Sequence, residues 1–175
     1  SVATNAQVAH FKATGRPTWA INPASLMHGQ TDAVVQQVLA WAAPLLAQGP
    51  VLVYSTAEPE AVKQVQAQLG VAEAGAMVEH ALAAVARGLV QLGVQQLVVA
   101  GGETSGACVQ ALDIAQLQIG PQIDPGVPWC HAPAQISAGD AGTGAAVGKG
   151  GVHIALKSGN FGTEDFFTKA FTVLR

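Results

Sequence analysis

Charge is scarce in this sequence. Asp, Glu, Lys and Arg make up 11% of it, against roughly 25% in an average soluble domain. Eight Lys and Arg face eleven Asp and Glu, for a formal net charge of −3. A chain with no basic surplus lacks the face that grips a phosphate backbone, so nucleic acid is not an expected partner. Aromatic residues are also few, at 5%. The two cysteines, Cys108 and Cys130, show neither a CxxC pair nor a Cys/His ligand spacing, which argues against a disulfide framework or a zinc site. A reduced, cytoplasmic setting is the simplest expectation. No apolar run reaches the ~18 residues of a membrane span. The opening stretch SVATNAQVAHFKATG has no charged region followed by an apolar core, so it does not read as a signal peptide. It also has no initiator Met, and the expectation is that the sequence was cut from a longer protein.

Half of the 175 residues are hydrophobic. That suffices for one sizeable core and excludes extended disorder. Small apolar residues with twenty glycines suit tightly wound α/β layers better than a β-sandwich. Helical spacing is expected over Ser1–Thr14, Thr31–Gln48, Thr56–Leu69, Ala74–Leu92, Thr104–Leu112 and Thr163–Thr172, with Pro44 able to shorten the second. Short apolar runs at residues 18–21, 51–55, 96–100 and 152–156 read as strands. Leu117–Ile119 reads as a further strand, and Asp124-Pro125-Gly126 as a turn before Val127-Pro128-Trp129. Residues 134–151 are rich in Gly and Ala and are expected to form a flexible surface loop. The alternation predicts one domain, α/β, with an open, mainly parallel sheet flanked by helices.

Three segments carry the chemistry. In VVAGGETSGA, residues 98–107, a buried strand ends in Gly101-Gly102 and a helix opens at Glu103-Thr104-Ser105. Glycines admit a close-lying ligand, and a helix start offers free N–H groups and the positive end of its dipole. Ligands bind at the carboxyl ends of strands in open α/β sheets, so a phosphate would sit here. The plainer alternative is a tight turn with Thr104 as a cap. In ALKSGNFGTEDFF, residues 155–167, a second strand end meets a Gly-rich turn. Lys157 can meet phosphate as a point charge, and Ser158, Gly159 and Asn160 form the turn. The alternative is a solvated lysine beside a loop. In IGPQIDPGVPW, residues 119–129, Asp124 is either a turn-former or a carboxylate linked to magnesium. The five histidines are scattered, and Cys130 beside His131 lacks the third group of a thiol enzyme.

In this order the three segments resemble the C-terminal nucleotide-binding domain of the four-carbon acid sugar kinases, a family that includes 3-oxo-tetronate, threonate and erythronate kinases. Ser1, Thr4 and Gln7 resemble the remainder of the stretch that opens that domain, and LVYSTAEPE (52–60) resembles another family segment. The resemblance spans the chain. It implies a nucleotide-binding domain over residues 1–175, the C-terminal half of a two-domain kinase whose substrate domain is missing here. It implies ATP and Mg2+ as cofactors and transfer of the γ-phosphoryl group to a hydroxyl of a four-carbon sugar acid. Ser1, Gly101, Gly102, Glu103, Thr104 and Gly159 are the implied nucleotide contacts, with Ser105, Lys157, Ser158 and Asn160 as weaker candidates. Glu103 and Asp124 are the carboxylates to watch for a metal, and the catalytic group is not assigned. The expected partners are ATP or ADP, the sugar acid through the missing domain, and a second copy of the chain in a homo-oligomer, but no membrane. Two features depart from the family pattern: Asp113 stands where a glycine is common, and the 134–151 stretch is longer than usual. The competing reading is a non-catalytic nucleotide or phosphate sensor. A dinucleotide fold is disfavoured because GxGxxG is absent.

Overall fold

The computed structural model of the chain describes residues 1–55, 59–133 and 150–174. The expected loop therefore lies, over residues 134–149, outside the described residues, as does the expected helix start at Thr56. The described chain runs α1 (Val2–Ala13), β1 (Thr18–Ile21), a 3-10 turn (Pro23–Leu26), α2 (Thr31–Ala42), β2 (Leu52–Ser55), α3 (Pro59–Leu69), α4 (Val71–Gln91), β3 (Gln96–Ala100), α5 (Gly102–Ala111), β4 (Gln118–Asp124), β5 (Val127–Ala132), β6 (Val152–Lys157) and α6 (Phe166–Val173).

Local chemistry sets most of these boundaries. Ser1 caps α1, its Oγ accepting from Thr4 N at 3.2 Å. The second helix stops at Ala42, two residues before Pro44, as a missing N–H and a ring clash require. Gly70, at φ +86°, separates α3 from α4, so α4 begins at Val71, three residues earlier than its apolar spacing suggests. Asp113 takes φ +55°, the left-handed conformation that a glycine would adopt more cheaply.

The α/β class and the open sheets are as expected. The strand directions are more mixed than a mainly parallel sheet. Among the described residues there are two sheets: a parallel pair β1-β2, and a four-stranded sheet in the order β3-β6-β5-β4. Only β3 and β6 run parallel in the larger sheet, while β4-β5 and β5-β6 are antiparallel. The reason for the β4-β5 reversal is local. Asp124 pairs with Val127 across a tight turn with Gly126 at φ +79°, and a connection that short can only reverse the chain.

Helix α4 joins the two sheets. Its Ala81, Val85 and Leu89 pack with Ile21, Leu26, Val35 and Val38 under β1-β2. Its Ala83, Ala86 and Val90 pack with Val99, Cys108, Leu112 and Ile154 on the larger sheet. The other face of that sheet, from which Trp129 of β5 projects, is covered by α1 and α6 through Phe11, Phe166 and Phe167. Trp129, fully buried, donates from Nε1 to Ala170 O at 2.9 Å. It is a core residue whose indole N–H has a partner, as buried tryptophans usually do. Among the described residues no helix is long and apolar enough to cross a membrane.

Candidate nucleotide site

The parallel pair β3 and β6 ends at one edge, and both Gly-bearing turns leave from it. Their registers match residue for residue, from Gln96 opposite His153 to Ala100 opposite Lys157. The backbone continues the pairing, because Gly101 N donates to Lys157 O at 2.9 Å. Two turns 56 residues apart in sequence, at Gly101 and Lys157, are thereby set side by side.

Gly101, at φ +116°, turns the chain from β3 into α5 with no side-chain cap on the helix. The first N–H groups of α5 are therefore left for another acceptor. A Cβ built on Gly102 would meet nothing within 4 Å, so the space in front of the helix start is open. Thr104 stays close to the turn, its Oγ1 lying 3.2 Å from where a Gly101 Cβ would be. The Ser105 hydroxyl is shielded from solvent and has no partner among the described residues.

The start of α1 comes to the same edge. Ser1 Oγ donates to Gly159 O at 2.5 Å, and Thr4 Oγ1 donates to the same carbonyl at 2.8 Å. Gln7 is buried, and its Nε2 lies 3.0 Å from each of the carbonyls of Phe161, Gly162 and Thr163. Ser1, Thr4 and Gln7 recur at three-residue steps on one side of α1 and clamp the turn after β6. Sequence reasoning placed Ser1 at the site but gave no role to Thr4 or Gln7. The available signal was a row of short polar side chains on one side of a helix that otherwise buries Phe11.

Lys157 lies beneath this turn and is 1% exposed. Its Nζ donates to Thr4 Oγ1 at 3.1 Å, Ser158 O at 3.0 Å and Gly159 O at 3.2 Å. Among the described residues its acceptors are all neutral oxygens, and burial lowers its pKa from the ordinary lysine value. A solvated lysine is thus replaced by a buried positive charge under the turn. Ser158 and Asn160 are exposed at its rim.

The two carboxylates expected near a metal are engaged elsewhere. Asp124 is buried, and its Oδ2 accepts from Thr163 N at 2.8 Å and Thr163 Oγ1 at 3.0 Å, while its Oδ1 accepts from Lys169 Nζ. Burial alone would raise this carboxyl, but the hydrogen bonds from Lys169 and Thr163 outweigh it and hold the pKa below the ordinary value. Asp124 is therefore a strut that ties the β4-β5 hairpin to the turn before α6, not a free metal ligand. Thr163, where the last helix was expected to begin, gives its hydroxyl to this network, and α6 begins after Asp165 with no side-chain cap. Glu103 turns to Glu79 of α4, whose pKa is raised by partial burial and then by the hydrogen bond and like charge of Glu103. Among the described residues no group of three or more His, Cys, Asp or Glu is set to hold a metal ion. Burial raises the thiol pKa of Cys130 and pushes Cys108 up to about 11, so neither offers a ready thiolate.

The two key glycines respond differently to a methyl group. A Cβ on Gly159 would lie 2.9 Å from Ser1 Cβ and 3.0 Å from Ser1 Oγ. Gly159→Ala is expected to displace Ser1 and weaken its cap, at a cost of about 1 kcal/mol. Gly102→Ala meets open space at a helical position and is expected to stabilise by about 0.4–1 kcal/mol. Thermal midpoints of the two variants should move in opposite directions. Equal shifts would mean that Ser1 does not press on Gly159.

Comparison with known proteins agrees with this geometry. The chain is 53% identical over 172 residues to the 3-oxo-tetronate kinase of Pseudomonas fluorescens, covering 97% of the chain and 35% of that protein. It is 53% identical over 174 residues to the 3-oxo-tetronate kinase of Burkholderia multivorans, covering 99% of the chain and 36% of that protein. The chain thus spans about a third of the length of the curated relatives it matches. Among solved structures, Haemophilus influenzae protein HI1011 superposes with a TM-score of 0.75 at 32% identity, over 100% of this chain and 38% of that one. A family model described as the nucleotide-binding C-terminal domain matches residues 1–167. With its two glycine turns and the α1 clamp at one sheet edge, the chain belongs to the nucleotide-binding C-terminal domain family.

Proposed function

We propose that the edge formed by Gly101–Ser105, Lys157–Asn160 and Ser1 seats the phosphates of ATP. The whole protein would use that ATP to phosphorylate a four-carbon sugar acid of the 3-oxo-tetronate type. One observation carries this reading: an uncapped helix start with open space at Gly102 lies beside a buried, uncompensated Lys157. Both features favour an anion, and Lys157 at the same time holds the second turn through Ser158 O and Gly159 O. The 53% identity to named 3-oxo-tetronate kinases supports the substrate class.

Phosphoryl transfer asks the protein mainly for positioning and charge stabilisation. The N–H groups of Gly102, Glu103 and Thr104 would hold phosphate oxygens. Lys157 would supply positive charge from below, and the Ser1-Thr4-Gln7 clamp would fix the second turn. Mg2+, when bound, supplies countercharge to the phosphates. With Asp124 paired to Lys169 and Glu103 facing Glu79, its ligands are expected from phosphates, water and the rest of the longer protein. The sugar acid is expected to meet that remaining part.

The test is a pair of measurements on the full-length protein. ADP release with 3-oxo-tetronate, threonate and erythronate should show turnover with at least one of them, and failure with all three would reject the kinase reading. Calorimetry with Mg-ADP should show Gly102→Val binding at least tenfold weaker than the parent with its thermal midpoint kept. A Cβ branch would fill the open space without meeting protein. Unchanged affinity in Gly102→Val would remove the phosphates from this turn.

A further inference from the structure

The two sheets stop facing each other across a cleft. Among the described residues β2 pairs only with β1, and β3 only with β6. Between the free edges of β2 and β3 lies a cavity of about 730 Å³, lined along its length by both strands.

The backbone of both edges points into it. In a strand, N–H and C=O groups alternate sides residue by residue. Leu52 N donates to Pro17 O beside β1, so Val53 and Ser55 direct their N–H and C=O groups away from β1 and into the cleft. Gly101 N donates to Lys157 O, and His153 N donates to Gln95 O, so the odd-numbered residues of β3 face β6. Gln96, Val98 and Ala100 direct theirs into the cleft. Two parallel edges thus present to one gap five half-buried backbone positions that no strand among the described residues pairs, where such groups in folded proteins are almost always paired.

The walls above and below are helices. Val8 and Phe11 of α1 line one face, and Val78, Leu82 and Val85 of α4 line the other. A gap with a strand edge on each side and an apolar helix on each face has the shape of a buried central strand.

The geometry points to one occupant: an extended, mostly apolar stretch of the same polypeptide, about five residues long, that leads into Ser1 in the longer protein and pairs with β2 and β3 at once. Ser1 supplies the direction. It caps α1 and bonds Gly159 at the carboxyl end of β6, so a strand arriving at Ser1 runs parallel to β2, β3 and β6. The chain spans about a third of its relatives' length, which leaves ample polypeptide to supply it. With that strand in place the sheets fuse into one, ordered β1-β2-strand-β3-β6-β5-β4. The strand's end then fixes Ser1 over the Gly159 turn. This inference does not depend on what the turns bind.

Hydrogen exchange at single-residue resolution on the full-length protein tests it. The amides of Val53, Ser55, Gln96, Val98 and Ala100 are expected to exchange at least a hundredfold more slowly than in a variant lacking the five residues before Ser1, at every protein concentration. A second variant with proline at the centre of that segment covers the case in which the deletion does not fold. It should lose protection at the same five amides while β5-β6 amides stay protected. Fast exchange of the five amides in the intact protein would overturn the proposal. Protection that disappears on dilution would assign the cleft to a second copy, and protection unaffected by the proline would assign it to another segment or a small apolar ligand. Either result would also overturn it.

Discussion

Trp129→Ala is expected to lower the unfolding free energy by about 4 kcal/mol, within the ~3–5 kcal/mol typical of buried aromatic truncations. Trp129 is the largest fully buried side chain, at 0% exposure, and lies edge-on to Phe171 with ring centroids 5.9 Å apart. Its removal opens a cavity between β5 and α6. It also leaves the Ala170 carbonyl, which now accepts from Nε1 at 2.9 Å, without its donor, a loss that accounts for about 1 kcal/mol of that total. For a domain of this size each kcal/mol moves the thermal midpoint by roughly 2–4 °C, so the midpoint should fall by roughly 8–16 °C. Trp129→Phe keeps most of the ring and loses the N–H. Its expected cost is about 1–2 kcal/mol. Equal losses in the two variants would show that the hydrogen bond, not the packing, holds α6 to the sheet.

Asp124→Ala is expected to cost about 2–3 kcal/mol at neutral pH. It strips a buried acceptor from Thr163 N and Oγ1 and leaves Lys169, 29% exposed, without its main partner. The figure sits below the ~3–5 kcal/mol seen when fully buried pairs are broken, because Asp165 lies 3.7 Å from Lys169 and takes up part of the charge. The pH dependence has a definite sign. The folded carboxyl titrates below its ordinary value, which in the unfolded chain is about 3.9. Its stabilisation is therefore full above that pH and is lost as pH falls through the folded pKa. Urea melts should show a wide gap between the parent and Asp124→Asn at pH 7, and one that narrows progressively as the pH falls below about 3.9. A gap independent of pH would mean that charge plays no part. The same change frees Thr163, and with it the turn gripped by Gln7, so nucleotide affinity should fall along with stability.

Much of this protein was legible locally. Strand β3 occupies residues 96–100 as its apolar run predicted, because Gly93 before it and Gly101-Gly102 after it bracket the run. Helix α4 follows its apolar stripe. The two turns at Gly101 and Gly159 were visible because a positive φ and a close approach both demand glycine. Asp124 shows the limit. Beside Pro125-Gly126 it read as a turn-former or a metal-linked carboxylate, and local sequence could not show that Lys169, 45 residues on, would claim it. Gln7 likewise reaches carbonyls 154 to 156 residues away.

The sequence by itself determined the presence of most helices, the strands β1, β2, β3 and β6, the hairpin turn and the two glycine turns, because hydrophobic period and backbone conformational freedom act over a few residues. Strand order, the antiparallel seating of β5 on β6, the α1 clamp on the Gly159 turn and the open cleft between β2 and β3 were decided only by the tertiary structure. Those features rest on pairings between residues far apart in the chain, and a pairing partner is fixed by where the whole core closes rather than by the residues on either side.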